Sequence, residues 1–483
     1  MCDFGKIRRV VVRAFENFVK FCNFKAIFVT TKNMSLECRF QKSPQKLPKF
    51  EFGIEKMSNC GRIYIANHSA QVFVRYLERI MKELNLKSKT IIGICLFVVI
   101  FVALMLVASF CDFDISKIMT KGSLDEGEYI SHGFYAVAGE VFGTSPIYIV
   151  AALCMGIMFW FCLRIIPKKP LAIIGAVVAG VLAVVAWWFF MKDIVGYLFE
   201  HAANKSGAYA GDVYEFRHAF GVRLVEVFAA LVIAGLTVFA FKGIKEEHLK
   251  KLAWLVLAVI VATAVAQLLI MLIKGPVGRM RFRAINSNVG KTLIDDGLVA
   301  GYTPWYKSNG QPSADIIALF TDKWPGAGDA FKSFPSGHTC AAATSYALIM
   351  LPYTIKFKRE KLAKVLCWLC PIVITGLVAT ARIVAGAHYM SDVTFGGTLA
   401  FVCMMITMEI FVCRGEHFFA LFPRLAKGKG NSATEPAQTE EPAQESAPEE
   451  QPITENERVE AEQNSDMNAA QKEVSEQLSQ LEQ

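Results

Sequence analysis

His388 and Asp392 stand four residues apart in "ARIVAGAHYMSD", so one helical turn sets a carboxylate beside an imidazole. Such a carboxylate fixes the imidazole tautomer and stabilises its cation. Arg382 lies six residues upstream of His388. A second group is Pro335-Ser336-Gly337-His338, at the head of an apolar run. Backbone N–H groups at a helix start lack intrahelical partners and favour an anion. There Gly337 lets a ligand approach, Ser336 offers a hydroxyl, and His338 offers a proton near neutral pH. The third group is Lys274 and Arg281, seven apart in "IKGPVGRMRF". Continued helical turns would put them on one face, although Gly275 and Pro276 interrupt that reading. Each group alone has a plainer explanation: an interfacial polar cap, an ordinary helix start, basic flanking of a membrane helix.

The elements that must position these groups are membrane helices. With 483 residues, 54% of them hydrophobic and only 19% charged, the chain cannot cover itself with polar surface, so a polytopic membrane protein is the default. About 20 mostly apolar residues make a span. The candidate runs are Ile91–Phe110, Ser145–Leu163, Leu171–Met191, Leu224–Phe241, Leu252–Ile273, Thr339–Ile355, Val365–Ala381 and Val393–Cys413. An all-α bundle of about eight spans follows. Glu226 makes the fourth the weakest.

Loop charge sets the orientation. The short loops at Arg164–Lys169, Lys242–Lys251 and Lys356–Lys364 are basic and belong inside. The acidic segment Cys111–Thr144, the segment Lys192–Arg223 and the long Lys274–Phe334 segment then lie outside, and both termini inside. All three chemical groups fall at outer helix tips. Lys274, Arg279, Arg281 and Arg283 are on the side where excess positive charge is unexpected, which points to an anionic ligand for them. With no Asp/Glu cluster suited to Mg²⁺ nearby, fixed cations take over the stabilisation of a phosphoryl group. The expectation is metal-independent phosphoryl chemistry at an outward-facing site.

The three groups in order resemble the type 2 phosphatidic acid phosphatase and vanadium haloperoxidase superfamily, membrane branch. Its pattern is Lys-x6-Arg-Pro, Pro-Ser-Gly-His, then Ser-Arg-x5-His-x3-Asp. This chain reads Lys274-x6-Arg281-Phe282, Pro335-Ser336-Gly337-His338, and Ala381-Arg382-x5-His388-x3-Asp392. The resemblance implies His388 as nucleophile forming a phosphohistidine, Asp392 as its orienting partner, and His338 as the acid that protonates the leaving oxygen and then activates water. Lys274, Arg281, Ser336, Gly337 and Arg382 would hold phosphate oxygens. It implies no cofactor and no metal, and a lipid phosphate or diphosphate substrate reached from the outer leaflet of the cell membrane, with no role for nucleic acid. A lipid phosphotransferase, or a silent lipid-binding or transport protein on the same scaffold, are the alternatives. Phe282 and Ala381 depart from the pattern. The second removes a hydrogen bond worth about 0.5–1.5 kcal/mol if one was made, and activity is expected to survive both changes.

The remaining segments are assigned more coarsely. Residues 81–250 carry the first helices and 251–415 the three-motif core. Residues 1–80, basic and aromatic, read either as a cytoplasmic extension touching anionic lipid or as a mis-annotated start before "MKELNLKSKT". Residues 428–483, rich in Glu, Gln, Pro and Ser, are expected to be disordered. Thirteen cysteines show no metal spacing, and Cys367-x-x-Cys370 lies in an apolar run as helix packing. Trp305, Tyr306 and Trp324 are expected at the headgroups or as a lid. His132, His201 and His218 match no motif and receive no role.

Overall fold

The computed structural model describes residues 85–206, 215–324 and 326–422, so the assignments for residues 1–80 and 428–483 lie outside the described residues. The described chain is helical, with no strand beyond one isolated bridge between Gly127 and Ser287. In order, the helices are α1 Leu86–Met119, α2 Phe134–Val141, α3 Ser145–Ile165, α4 Lys169–Ser206, α5 Phe220–Ala240, α6 Glu246–Val277, α7 Phe282–Asn286, α8 Asn288–Asp295, α9 Ala314–Thr321, α10 Gly337–Ala342, α11 Leu351–Thr354, α12 Glu360–Val384, α13 Met390–Thr407 and α14 Glu416–Leu421. Among the described residues, seven helices are long and apolar enough to cross a membrane, making this a multi-pass bundle.

The eighth expected span is built differently. Gly337–Ala342 is α-helical, Ala343–Met350 is 3₁₀, and Leu351–Thr354 is α again. Pro352 accounts for the change at its far end: it has no N–H for the Leu348 carbonyl, which accepts the Leu351 N–H instead. A 3₁₀ segment rises about 2.0 Å per residue rather than 1.5, so these 18 residues still reach about 30 Å, a hydrocarbon thickness. The fifth helix of the bundle, α5, keeps its span because Glu226, 2% exposed, is paired at 2.7 Å with Arg223 one turn earlier.

The interior of the bundle is dominated by α6. Leu252, Val256, Val259, Ala262 and Ala266 lie on its buried side and pack with Ile157 of α3 and Met404 of α13. The helix runs through Pro276 and ends at Gly278, whose φ is +57°. A Cβ there would sit 1.6 Å from the Gly310 carbonyl oxygen, so only glycine permits the reversal that follows. The run after it is extended, and Arg281 N-caps α7. Lys274 and Arg281 therefore do not share one continuous helix; the turn at Gly278 places the second.

The long segment 278–334 is a folded cap. Met280, Ala284, Leu293, Phe320, Trp324 and Phe331 form its core together with Tyr129 from the α1–α2 connection. This corrects the headgroup reading of Trp324. Trp324 is buried against Tyr129, and Trp305 donates its indole N–H to Ser109 of α1 at 2.9 Å and stacks on Phe334. Tyr306 stays exposed.

Candidate active site

His388 lies in the turn between α12 and α13 and is 0% exposed. Its Nδ1 is 2.6 Å from the Ser333 backbone carbonyl. A carbonyl only accepts, so Nδ1 carries the proton and Nε2 carries the lone pair. Nε2 is buried without a hydrogen-bond partner. Asp392, one turn along, has Oδ2 at 3.6 Å from Nδ1, an ion-pair distance rather than a hydrogen bond. That carboxylate is itself held by the Tyr389 N–H at 2.8 Å, the Ser333 hydroxyl at 2.5 Å and Arg279 at 2.5 Å. So the tautomer is set directly by Ser333, and Asp392 acts on His388 through charge. Burial, joined by the cations Arg281, Lys274 and Arg382, outweighs Asp392 and pushes the His388 pKa down to about 3. The imidazole is therefore neutral, with a free nucleophilic nitrogen, at ordinary pH.

The motif cations differ from their neighbours in how they are satisfied. Arg281 is buried and pairs through one nitrogen with Asp329 at 2.5 Å, leaving Nε and Nη1 buried and unpartnered. Arg382 gives Nη1 to Glu140 at 2.8 Å and leaves Nε unpartnered. Lys274 reaches the start of α10, its Nζ 3.6 Å from where a Gly337 Cβ would stand. A buried guanidinium N–H without an acceptor costs free energy, so these open donors mark where an anion would sit.

Arg279 is different, and the expectation of an anionic ligand for it is corrected. Arg279 is wholly committed to the protein. It donates to Asp392 at 2.5 Å, Ser391 at 2.8 Å, Asp112 at 2.9 Å and the Thr303 carbonyl at 2.8 Å, and lies 4.1 Å over the Tyr389 ring. Arg283 pairs with Glu140 at 2.8 Å and lies over Tyr129, but its Nε is buried and unpartnered like that of Arg382. Their counter-ions come from the segment read as an outer acidic loop. Asp112 is in fact within α1 and Glu140 within α2, 1% and 4% exposed.

His338 enters at the first turn of α10, with its Nε2 3.0 Å from the Tyr197 hydroxyl of α4. Ser336 is the N-cap of α10: its Oγ accepts the Thr339 N–H and lies 3.0 Å from the Thr339 hydroxyl. The Ser336 N–H donates to the Asp392 carbonyl at 3.0 Å, locking the two motifs together. This approach requires Gly396 of α13, where a Cβ would stand 2.4 Å from the Ser336 carbonyl oxygen. A polar cavity of about 210 Å³ adjoins the site, lined among others by Glu140, Lys192, Tyr197, Asp329 and Arg382.

The two departures from the motif pattern are absorbed by packing. Phe282 is buried with Leu124 and Tyr389. Ala381 is buried so close to Gly139 that a Cβ on that glycine would lie 2.2 Å from its own. Several participants carried no signal in the sequence. Ser333 works through its backbone carbonyl, which any residue has. Tyr197 and His201 are isolated in a membrane helix, yet His201 reaches Glu140 at 3.1 Å. Only the position of Asp112 and Glu140 among apolar neighbours could have hinted at burial.

The sequence profile of the PAP2 superfamily matches residues 251–415, the stretch holding all three motifs. No curated protein and no solved structure matches the chain significantly.

Proposed function

With residues 251–415 a PAP2 superfamily region in a multi-pass membrane bundle, we propose that the protein is an integral membrane phosphatase acting on a lipid phosphate or diphosphate. The observation that carries this is the set of buried, unpartnered atoms: Nε and Nη1 of Arg281, Nε of Arg382 and Nε2 of His388. Fixed donors grouped with a neutral imidazole suit a phosphoryl group, whose negative charge is spread over three oxygens in the transition state. In the proposed reaction the Nε2 lone pair of His388 attacks phosphorus, and the bond to the leaving oxygen breaks. That oxygen takes a proton from His338. Water then gives a proton to His338 as its oxygen attacks the phosphohistidine, releasing phosphate and restoring His388. Lys274, Arg281, Ser336, Arg382 and the Gly337 N–H would hold the phosphate oxygens, with Ser336 also capping the start of α10. The lipid character of the substrate rests on the spans, since the site lies at helix tips that a headgroup can reach.

The test is phosphate release from a panel of lipid phosphates and diphosphates by the purified protein in detergent. Activity on none would leave the silent scaffold as the better reading. Products formed with an acceptor alcohol in place of free phosphate would favour the phosphotransferase. The reaction is expected to need no divalent metal at the site: activity lost to a chelator and restored by Mg²⁺ would overturn that.

The basic short loops support a reading in which the site faces the outer side of the cell membrane and both termini lie inside. Ser308 and Lys361 are both exposed side chains on opposite sides in this arrangement. A membrane-impermeant thiol reagent applied to intact cells is expected to label Ser308→Cys above the parent background and to leave Lys361→Cys at background. The reverse pattern would invert the topology.

A further inference from the structure

The far end of the last span carries a second cluster that the reaction above does not use. Glu409, Cys413 and His417 are four residues apart in turn. In a straight α-helix the first and last would be about 12 Å apart along the axis. Here the Glu409 Oε2 lies 2.8 Å from the His417 Nδ1, and the ligand atoms of all three residues lie within 4.8 Å of one another.

The backbone is bent to achieve this. Met408–Val412 is a π-turn, with the Cys413 N–H bonded to the Met408 carbonyl at 2.9 Å. Arg414 and Gly415 follow at φ +54° and +83°, and the Gly415 N–H closes back on the Glu409 carbonyl at 2.8 Å. A left-handed arginine costs about 1–2 kcal/mol, and such strain collects at ligand clamps. The π-turn is likewise a feature frequent at functional sites. The reversal carries His417 back over Glu409, with Cys413 between them.

We propose that Glu409, Cys413 and His417 form a Zn²⁺ site, with water in the fourth position. A thiolate, an imidazole and a carboxylate are a borderline-soft set that suits Zn²⁺ and excludes Mg²⁺ and Ca²⁺. Tetrahedral bonds of about 2.0–2.3 Å put ligand atoms about 3.3–3.8 Å apart, so the cluster closes on the ion by small side-chain rotations. The Glu409 Oε1 already accepts the Phe418 N–H at 2.9 Å, which orients the carboxylate as metal ligands commonly require. Bound Zn²⁺ would fasten α14 to the end of the last span. Glu409 is 17 residues from Asp392 along one helical run, about 26 Å, so the ion takes no part in phosphoryl chemistry.

The probe is Co²⁺ titrated into the demetallated full-length protein in detergent, followed by displacement with Zn²⁺. One equivalent is expected to give thiolate-to-cobalt charge-transfer absorption that Zn²⁺ removes. Cys413→Ser should lose that band, and His417→Ala should weaken binding at least tenfold. All three sites are partly exposed, so both variants are expected to fold, and size-exclusion profiles check this. No band in the parent, or an unchanged band and affinity in both variants, would overturn the site. Any chelator effect on activity that arises here should be reversed by Zn²⁺, not by Mg²⁺, and be absent from Cys413→Ser. It is thereby separable from a failure of the metal-independent reaction.

Discussion

Arg279→Leu is expected to destabilise the protein by about 3–5 kcal/mol, whereas Arg281→Leu should leave the fold intact and reduce activity at least a hundredfold. The two arginines are two residues apart and look alike in sequence, but their surroundings oppose them. Arg279 is 0% exposed and is shared between Asp112 of α1 and Asp392 of α13, both 0% exposed at the side chain. Leucine in its place strands two buried carboxylates, and breaking a buried pair by removing one partner costs about this much. Against a typical total of about 5–15 kcal/mol, that is a large share. Arg281 pairs with Asp329, whose side chain is 40% exposed and can turn to water when its partner is lost. Leucine there strands little, but it removes the open Nε and Nη1 donors, and one such donor is worth about 10²–10³ in rate. Thermal unfolding and phosphate release measured on both variants separate the roles. A stable, inactive Arg279→Leu protein would make Arg279 a phosphate ligand and the network around it incidental.

That contrast shows what spacing could and could not convey. Charge excess on the outer side flagged Lys274, Arg279, Arg281 and Arg283 together, because a sequence shows charges without their partners. The partners of Arg279 and Arg283 come from 167 and 143 residues away, on helices that had been read as loop. The helix ends were the weak point: hydropathy closes α1 at Phe110, while the helix continues to Met119 and so carries Asp112 inward. Conversely, the closeness of His388 to Asp392 and the helix start at His338 were legible because those two motifs fix local geometry, whereas the Lys274–Arg281 spacing does not survive the turn at Gly278. A four-residue step before a helix and a Pro-Ser-Gly turn at a helix start act through backbone rules that hold in any context. The eighth span was legible as an apolar run, but its 3₁₀ interior was not, since Pro352 sits near its end rather than in its middle.

The partition of the arginines also bears on how buried cations are tolerated at this site. Asp329 and Glu140 each take one nitrogen of a motif arginine, so neither guanidinium faces the interior uncompensated. Both carboxylates line the polar cavity beside the site. In the proposed reaction a phosphate arriving there would compete with these carboxylates for the arginine donors, which would temper affinity and favour product release.

The two histidines are expected to fail differently. In the proposed mechanism His388→Ala removes the atom that forms the covalent bond, so no phosphoenzyme is expected and turnover should fall to background on every substrate. His338→Ala leaves Nε2 of His388 free and neutral but deprives the leaving oxygen of its proton, a contribution of about 10²–10⁴-fold. An aryl phosphate departs as a stabilised phenolate and needs that proton less. His338→Ala should therefore lose far more activity on an alkyl lipid phosphate than on an aryl phosphate, with phosphoenzyme still trapped by rapid quench from the aryl substrate. Asp392→Asn should fall between. The Ser333 carbonyl still holds Nδ1 and so the tautomer, while the charge that favours a cationic phosphohistidine is gone. Because Asp392 also neutralises Arg279, its rates must be referred to folded protein. Equal losses for His338→Ala on both substrates would remove its role as acid. Phosphohistidine trapped in His388→Ala would place the nucleophile elsewhere, and His338, with Tyr197 on its Nε2, would be the residue to examine.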